Sequence, residues 1–169
     1  LIKKFQPRFN VLLKDDKTWL SVKLSMGDVW PRVSLVRKWR DDGSRYFGPY
    51  LNGLRAREVE RLIRQAFSLR TCTDSVLRAH AKRPCIQYNM GNCVAPCVDY
   101  VTGDEYAELV RQVVHVLEGR NRPLLRQLHE EMRTAAAELR FEDAAVLRDR
   151  IAVAERIAER QRVQRAAGE

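Results

Sequence analysis

The 169-residue sequence has no run of about 18 apolar residues, which excludes a membrane-spanning helix. No basic segment followed by an apolar stretch opens it, so no export signal is visible and a cytoplasmic setting is the expectation. Acidic residues are in short supply, 22 against 31 Lys and Arg, leaving a net charge of +9. Cysteine is confined to four positions, all within the stretch from Cys72 to Cys97. The opening Leu1-Ile2-Lys3-Lys4 reads as the interior of a helix, so the expectation is an internal stretch of a longer protein.

The positive excess is uneven. Residues 1–70 carry 16 basic and 7 acidic residues, whereas residues 100–169 carry 12 and 13. A polyanion such as DNA would be drawn to the first part, because each phosphate neutralised by Lys or Arg releases counterions.

Residues 5–50 read as short strands and turns. Phe9 to Leu13, Trp19 to Leu24 and Arg32 to Arg37 are strand candidates separated by Lys14-Asp15-Asp16-Lys17 and Gly27-Asp28, which predicts an antiparallel meander. Tyr46-Phe47-Gly48-Pro49-Tyr50 reads as an aromatic-rich turn. Val59, Leu62, Ile63, Ala66 and Phe67 then recur at helical spacing, with Arg57, Arg61 and Arg64 on the opposite face. Periodicity lapses from 68 to 100. Thr102 and Glu105 fit a capping box opening a helix whose apolar stripe runs from Tyr106 to Leu117, with Gly119 as its stop. Pro123 suits the first turn of another helix. The apolar phase changes near Arg140-Phe141-Glu142, which predicts two antiparallel helices joined around Phe141.

Cys72, Cys85, Cys93 and Cys97 are spaced C-x12-C-x7-C-x3-C inside a stretch with no strong apolar pattern. Such a stretch cannot offset its ordering entropy by burial and needs a staple. Disulfides suit a reducing cytosol poorly. Zinc usually takes its ligands as paired short knuckles, and only Cys93 and Cys97 form one. Four thiolates without a histidine equally suit a [4Fe–4S] cluster. Spacing leaves zinc and iron–sulfur both open.

Arg83-Pro84-Cys85-Ile86-Gln87-Tyr88 and Asn92-Cys93-Val94-Ala95-Pro96-Cys97-Val98 resemble the cysteine signature of the UvrC family of bacterial nucleotide excision repair. Leu1 to Val11 followed by Leu13 to Lys17 is similar to the end of that family's GIY-YIG nuclease domain, and Tyr46 to Tyr50 to its FGPY motif. Met132, Ala135 and Ala136, then Leu139-Arg140-Phe141-Glu142-Asp143-Ala144-Ala145 with Leu147-Arg148-Asp149, are similar to its UVR motif.

The resemblance implies an α+β chain: an antiparallel sheet remnant of a GIY-YIG domain, a Cys-rich loop region, then an all-α tail with a UVR helical hairpin. The expected boundaries are 1–18 for the end of the nuclease domain, 19–70 for a linking sheet and helix, and 71–100 for the cluster region. A connecting helix at 101–121, the hairpin at 122–163 and a disordered tail at 164–169 complete them. The implied function is dual incision of damaged double-stranded DNA, with a divalent cation, Mg or Mn, in the parent nuclease site. Of that site only Asn10 is present, so this stretch is expected to be inert alone. Cys72, Cys85, Cys93 and Cys97 would hold a [4Fe–4S] cluster. Leu139, Phe141, Glu142, Ala145, Arg148 and Asp149 would bind UvrB, Phe141 as anchor. Lys3, Lys4, Arg8, Lys14, Lys17, Arg57, Arg61 and Arg64 would touch the DNA backbone. The alternative from another class is a stand-alone zinc-binding adaptor that makes protein contacts through its helices and never meets DNA.

Overall fold

Alternating side chains put Val22 and Leu24 on one face of the first strand, β1 (Leu20–Leu24), and both are fully buried. The computed structural model describes residues 19–50 and 52–166, with side chains as far as residue 159. The strand expected at 9–13 and the helical opening at 1–4 lie outside the described residues.

β1 pairs antiparallel with β2 (Val33–Val36) on one side and β3 (Arg45–Tyr50) on the other, giving the order β2-β1-β3. The antiparallel pairing expected of the strands at 19–24 and 32–37 is present, and β3 takes the other edge of the sheet beside β1. The supposed turn at Tyr46 to Tyr50 is corrected: it is the edge strand β3. Leu20 faces Tyr50 while Val22 faces Phe47, so β3 carries one extra residue in a bulge. The bulge holds Gly48, at φ +123°, and Pro49, which lacks the N–H a ladder needs. It also moves the second buried aromatic from two residues after Phe47 to three, at Tyr50, which hides the period of two. A β-carbon on Gly48 would stand 3.0 Å from the Tyr50 ring.

α1 (Gly53–Phe67) lies against all three strands. Asn52 starts it by accepting the Leu54 N–H at 2.8 Å, and its predicted apolar stripe, Val59 to Phe67, is buried. After the cysteine-bearing stretch, α4 (Gly103–Glu118) opens on the predicted reciprocal capping of Thr102 and Glu105 and ends at Gly119, φ 75°. The intervening α2 (Asp74–Ala79) and α3 (Ile86–Asn89) are single turns or little more.

α5 (Asn121–Ala137) and α6 (Phe141–Ala166) form the hairpin. The turn between them is closed at Leu139, in the left-handed region at φ 59°. The Leu139 N–H bonds to the Ala136 carbonyl at 3.1 Å and the Arg140 N–H to that of Ala135 at 2.8 Å, the double closure typical of a helix end. α6 runs past the expected boundary at 163, so the tail expected from 164 is helical through Ala166.

The hairpin is not a free appendage. Ile151, Ala154 and Ile157 of α6 join one apolar core with Leu124 and Leu128 of α5, Val113 of α4 and Phe67 of α1. Each fully buried isoleucine contributes roughly 2–3 kcal/mol through removal from water. Arg150 donates from Nε to the Ala66 carbonyl at 3.1 Å and covers the Phe67 ring at 5.8 Å. A cation over the last carbonyls of α1 also complements that helix's dipole.

Candidate metal centre and docking hairpin

The four cysteines reach one place by four different local devices. Cys72 follows the buried core residues Leu69 and Arg70. Cys85 is the residue at which α3 begins, and Cys97 lies in the 3-10 turn Pro96–Val98. Cys93 is set by Ser68, whose carbonyl accepts the Val94 N–H at 3.0 Å and whose hydroxyl donates to the Gly91 carbonyl at 2.7 Å. The loop expected here is thus a string of short helical turns, too brief to show a period and with no buried residue in α2 or α3.

All four half-buried free thiols line a single part-open hollow, whose other walls include Val76, Leu77 and Pro96. Burial pushes the Cys93 thiol up to about 11, helped by the nearness of Cys72, Cys85 and Cys97. Burial raises Cys97 as well. Among the described residues, no three His, Cys, Asp or Glu side chains converge closely enough to ligate one metal ion.

Two further side chains face the hollow that the sequence reading passed over. Arg70 is 1% exposed, an unusual state for a guanidinium. It donates to the Trp30 carbonyl at 2.5 Å, to the Cys72 carbonyl at 3.1 Å and to Asp28 and Asp74 at 3.3 and 2.7 Å. Its own N–H meets the Tyr106 hydroxyl, which donates in turn to the Pro31 carbonyl at 2.6 Å. One buried cation therefore ties the sheet, α4 and the first cysteine together. Taking both Asp28 and Asp74 away would leave the guanidinium buried without a counter-charge, typically a loss of about 3–5 kcal/mol. His80 also lines the hollow, with Nδ1 3.3 Å from the Arg83 carbonyl. The expectation of cysteines without a neighbouring histidine is corrected; the signal available was the position of His80 midway between Cys72 and Cys85.

At the other end of the chain the hairpin tip is uncovered. Leu139 is 73% exposed and Phe141 65%; Val146, further along α6, is also exposed. Ala145 is half-buried and Glu142 exposed. Arg148 pairs with Asp149 at 2.9 Å, and Arg140 bridges Glu138 and Asp143 at 2.7 and 2.6 Å, so most charges expected to address a partner are paired within the turn. Arg57 and Arg61 are exposed on the outer side of α1. Arg64 is half-buried, and its Nε is buried without a hydrogen-bond partner. Asn10, Lys3, Lys4, Arg8, Lys14 and Lys17 lie outside the described residues. No helix among the described residues is long and apolar enough to cross a membrane.

A small α+β unit built around a four-cysteine hollow, followed by a helical hairpin with a bare apolar tip, is the class of protein these features define. Residues 19–116 match the family model described as the UvrC/Cho excinuclease middle domain, and residues 124–157 that of the UvrB/uvrC motif. The chain belongs to the UvrC/Cho excinuclease family. All three strands fall inside the middle-domain match, so the nuclease-domain reading of the sheet attaches to residues 1–18 alone. Among relatives, the UvrABC system protein C of Syntrophus aciditrophicus is 43% identical over 96% of this chain and 26% of its own length. That of Caldanaerobacter subterraneus subsp. tengcongensis is 46% identical over 96% and 27%. The chain spans about a quarter of the length of these relatives. No solved structure matches it.

Proposed function

We propose that this chain is a section of the incision subunit of bacterial nucleotide excision repair, in which it docks UvrB, touches the DNA backbone and carries a [4Fe–4S] cluster. The observation that carries the reading is the bare tip of Leu139 and Phe141 on a hairpin whose other side is already packed against α1 and α4. A two-helix unit covers its apolar surface poorly, and a second hairpin from UvrB would complete a four-helix arrangement.

The donor set fits a cluster. Four thiolates lining one hollow are a donor set that either a single zinc ion or a cluster can use. A cubane is larger than a single ion and accepts sulfurs set further apart around an apolar hollow. When bound, the cluster supplies a rigid cross-link; the protein supplies thiolates and the buried Arg70, whose positive charge opposes theirs. His80 favours the rival reading, a zinc-binding adaptor with a mixed Cys and His site. Both settings call for the reduced thiols of a cytoplasm.

Phosphodiester hydrolysis on the two sides of a lesion belongs to the parent protein. Residues 1–18 are the proposed end of its GIY-YIG domain, with Asn10 as an active-site side chain. DNA contact is tested by duplex binding at increasing salt. Affinity should fall steeply as salt rises, and Arg57→Gln with Arg61→Gln should make the log–log slope shallower by about 2. An unchanged slope would remove α1 from the DNA-facing surface.

A further inference from the structure

Trp39 sits on the connection between β2 and β3, 57% exposed, yet it is held in place from two directions. Its Nε1–H donates to the hydroxyl of the buried Ser21 at 2.9 Å. One ring face stacks on Tyr46, with centroids 5.6 Å apart and planes 24° from parallel. Tyr46 is fixed in turn: its hydroxyl donates to Asp42 at 3.0 Å and accepts the Arg40 N–H at 3.2 Å, and the Lys23 ammonium lies 5.7 Å from its ring centroid. A large indole has therefore been ordered in advance while much of its surface faces water. Single exposed apolar residues are ordinary in proteins; an exposed aromatic braced by a hydrogen bond and a stacked neighbour is a preorganised surface.

The charges flanking it are mostly positive. Arg37, Lys38 and Arg40 flank Trp39 in sequence, all exposed, and none has an ion pair among the described residues. Asp42 is engaged by Lys23 at 2.5 Å, which leaves Asp41 as the acidic residue of this connection without such a pairing. Cations beside an aromatic face are the pairing that single-stranded nucleic acid requires: phosphates are neutralised while an unpaired base stacks on the ring.

We propose that Trp39 with Arg37, Lys38 and Arg40 forms a binding site for an unpaired nucleotide, a stacking platform for single-stranded DNA. It rests on the DNA-contact reading above and deepens it by naming the form of DNA: a duplex keeps its bases stacked internally and offers none to Trp39.

The test compares binding of the chain to a fluorescein-labelled dT oligonucleotide and to a duplex of equal length. Trp39→Ala should weaken dT binding by roughly 5- to 150-fold, the loss typical of one stacked base, and duplex binding by less than about twofold. Trp39→Phe keeps a ring and should stay within about threefold of the unaltered chain. Thermal melting of each variant checks that the sheet is intact. Equal losses on both forms of DNA, no loss on dT, or a Phe variant as weak as the Ala variant would overturn the platform while leaving backbone contact standing. A chain that binds neither form overturns the DNA reading itself.

Discussion

Replacing Cys93 by serine should empty the hollow of its cluster: iron in anaerobically purified protein should fall from about four atoms per chain to less than about one, and the brown absorbance near 400 nm should vanish. Cys93 is the informative position because burial holds its thiol up to about 11, so at neutral pH the free thiol keeps its proton and a bound metal must displace that proton into solvent. Without that ligand the short turns from 68 to 100 lose the cross-link that orders them, since α2 and α3 bury nothing of their own. Structural metal binding in small domains is worth on the order of 10 kcal/mol, so the melting temperature should drop by roughly 10 °C or more. The alternative substitution Ser68→Ala removes a hydroxyl that positions the same stretch without touching a ligand. It should keep most of the iron, separating loss of a ligand from loss of local order.

Phe141→Ala should weaken capture of UvrB by roughly 30- to 1,000-fold, the range expected when an aromatic anchor is truncated. Its melting temperature should barely move, because the side chain is 65% exposed and makes no contribution to the shared core. Leu139 sharpens the test. A leucine held at φ 59° costs about 1 kcal/mol relative to glycine, and nothing inside the chain covers its side chain enough to offset that cost. Leu139→Gly should therefore melt higher and bind UvrB less well. A variant that melts higher and binds normally would show that the tip is not the docking surface. Binding is measured by calorimetry with purified UvrB, and folding by thermal denaturation.

The helical part of the fold was written in local signals. Thr102, Glu105, Gly119 and the stripes of α1 and α4 each act within a few residues, and capping and period of 3.6 are local physics. The sheet was less legible. Strand order depends on pairings between distant segments, and the bulge at Gly48-Pro49 broke the alternation that would have marked β3. The four cysteines were conspicuous because clustering is a pattern in composition. Arg70 was not: its role arises from burial against Trp30, Asp28 and Asp74, and nothing in the sequence beside Cys72 announces burial of an arginine. The hairpin turns where the change of apolar phase around Phe141 places it, but its closure at Leu139 was not legible, because a left-handed leucine is too uncommon to be predicted where glycine usually serves. Packing of α6 on α1 through Arg150 and Ile157 was likewise invisible, a contact between elements far apart in the chain.

The central claim is that four thiolates of residues 72–97 converge on one iron–sulfur centre, tying the sheet and α1 to the helices that follow. Elemental analysis of the anaerobically purified chain, counting iron, acid-labile sulfide and zinc together, tests it most directly. The account predicts about four iron and four sulfide per chain with negligible zinc. A colourless protein with one zinc per chain, or a metal-free protein of equal stability, would contradict it.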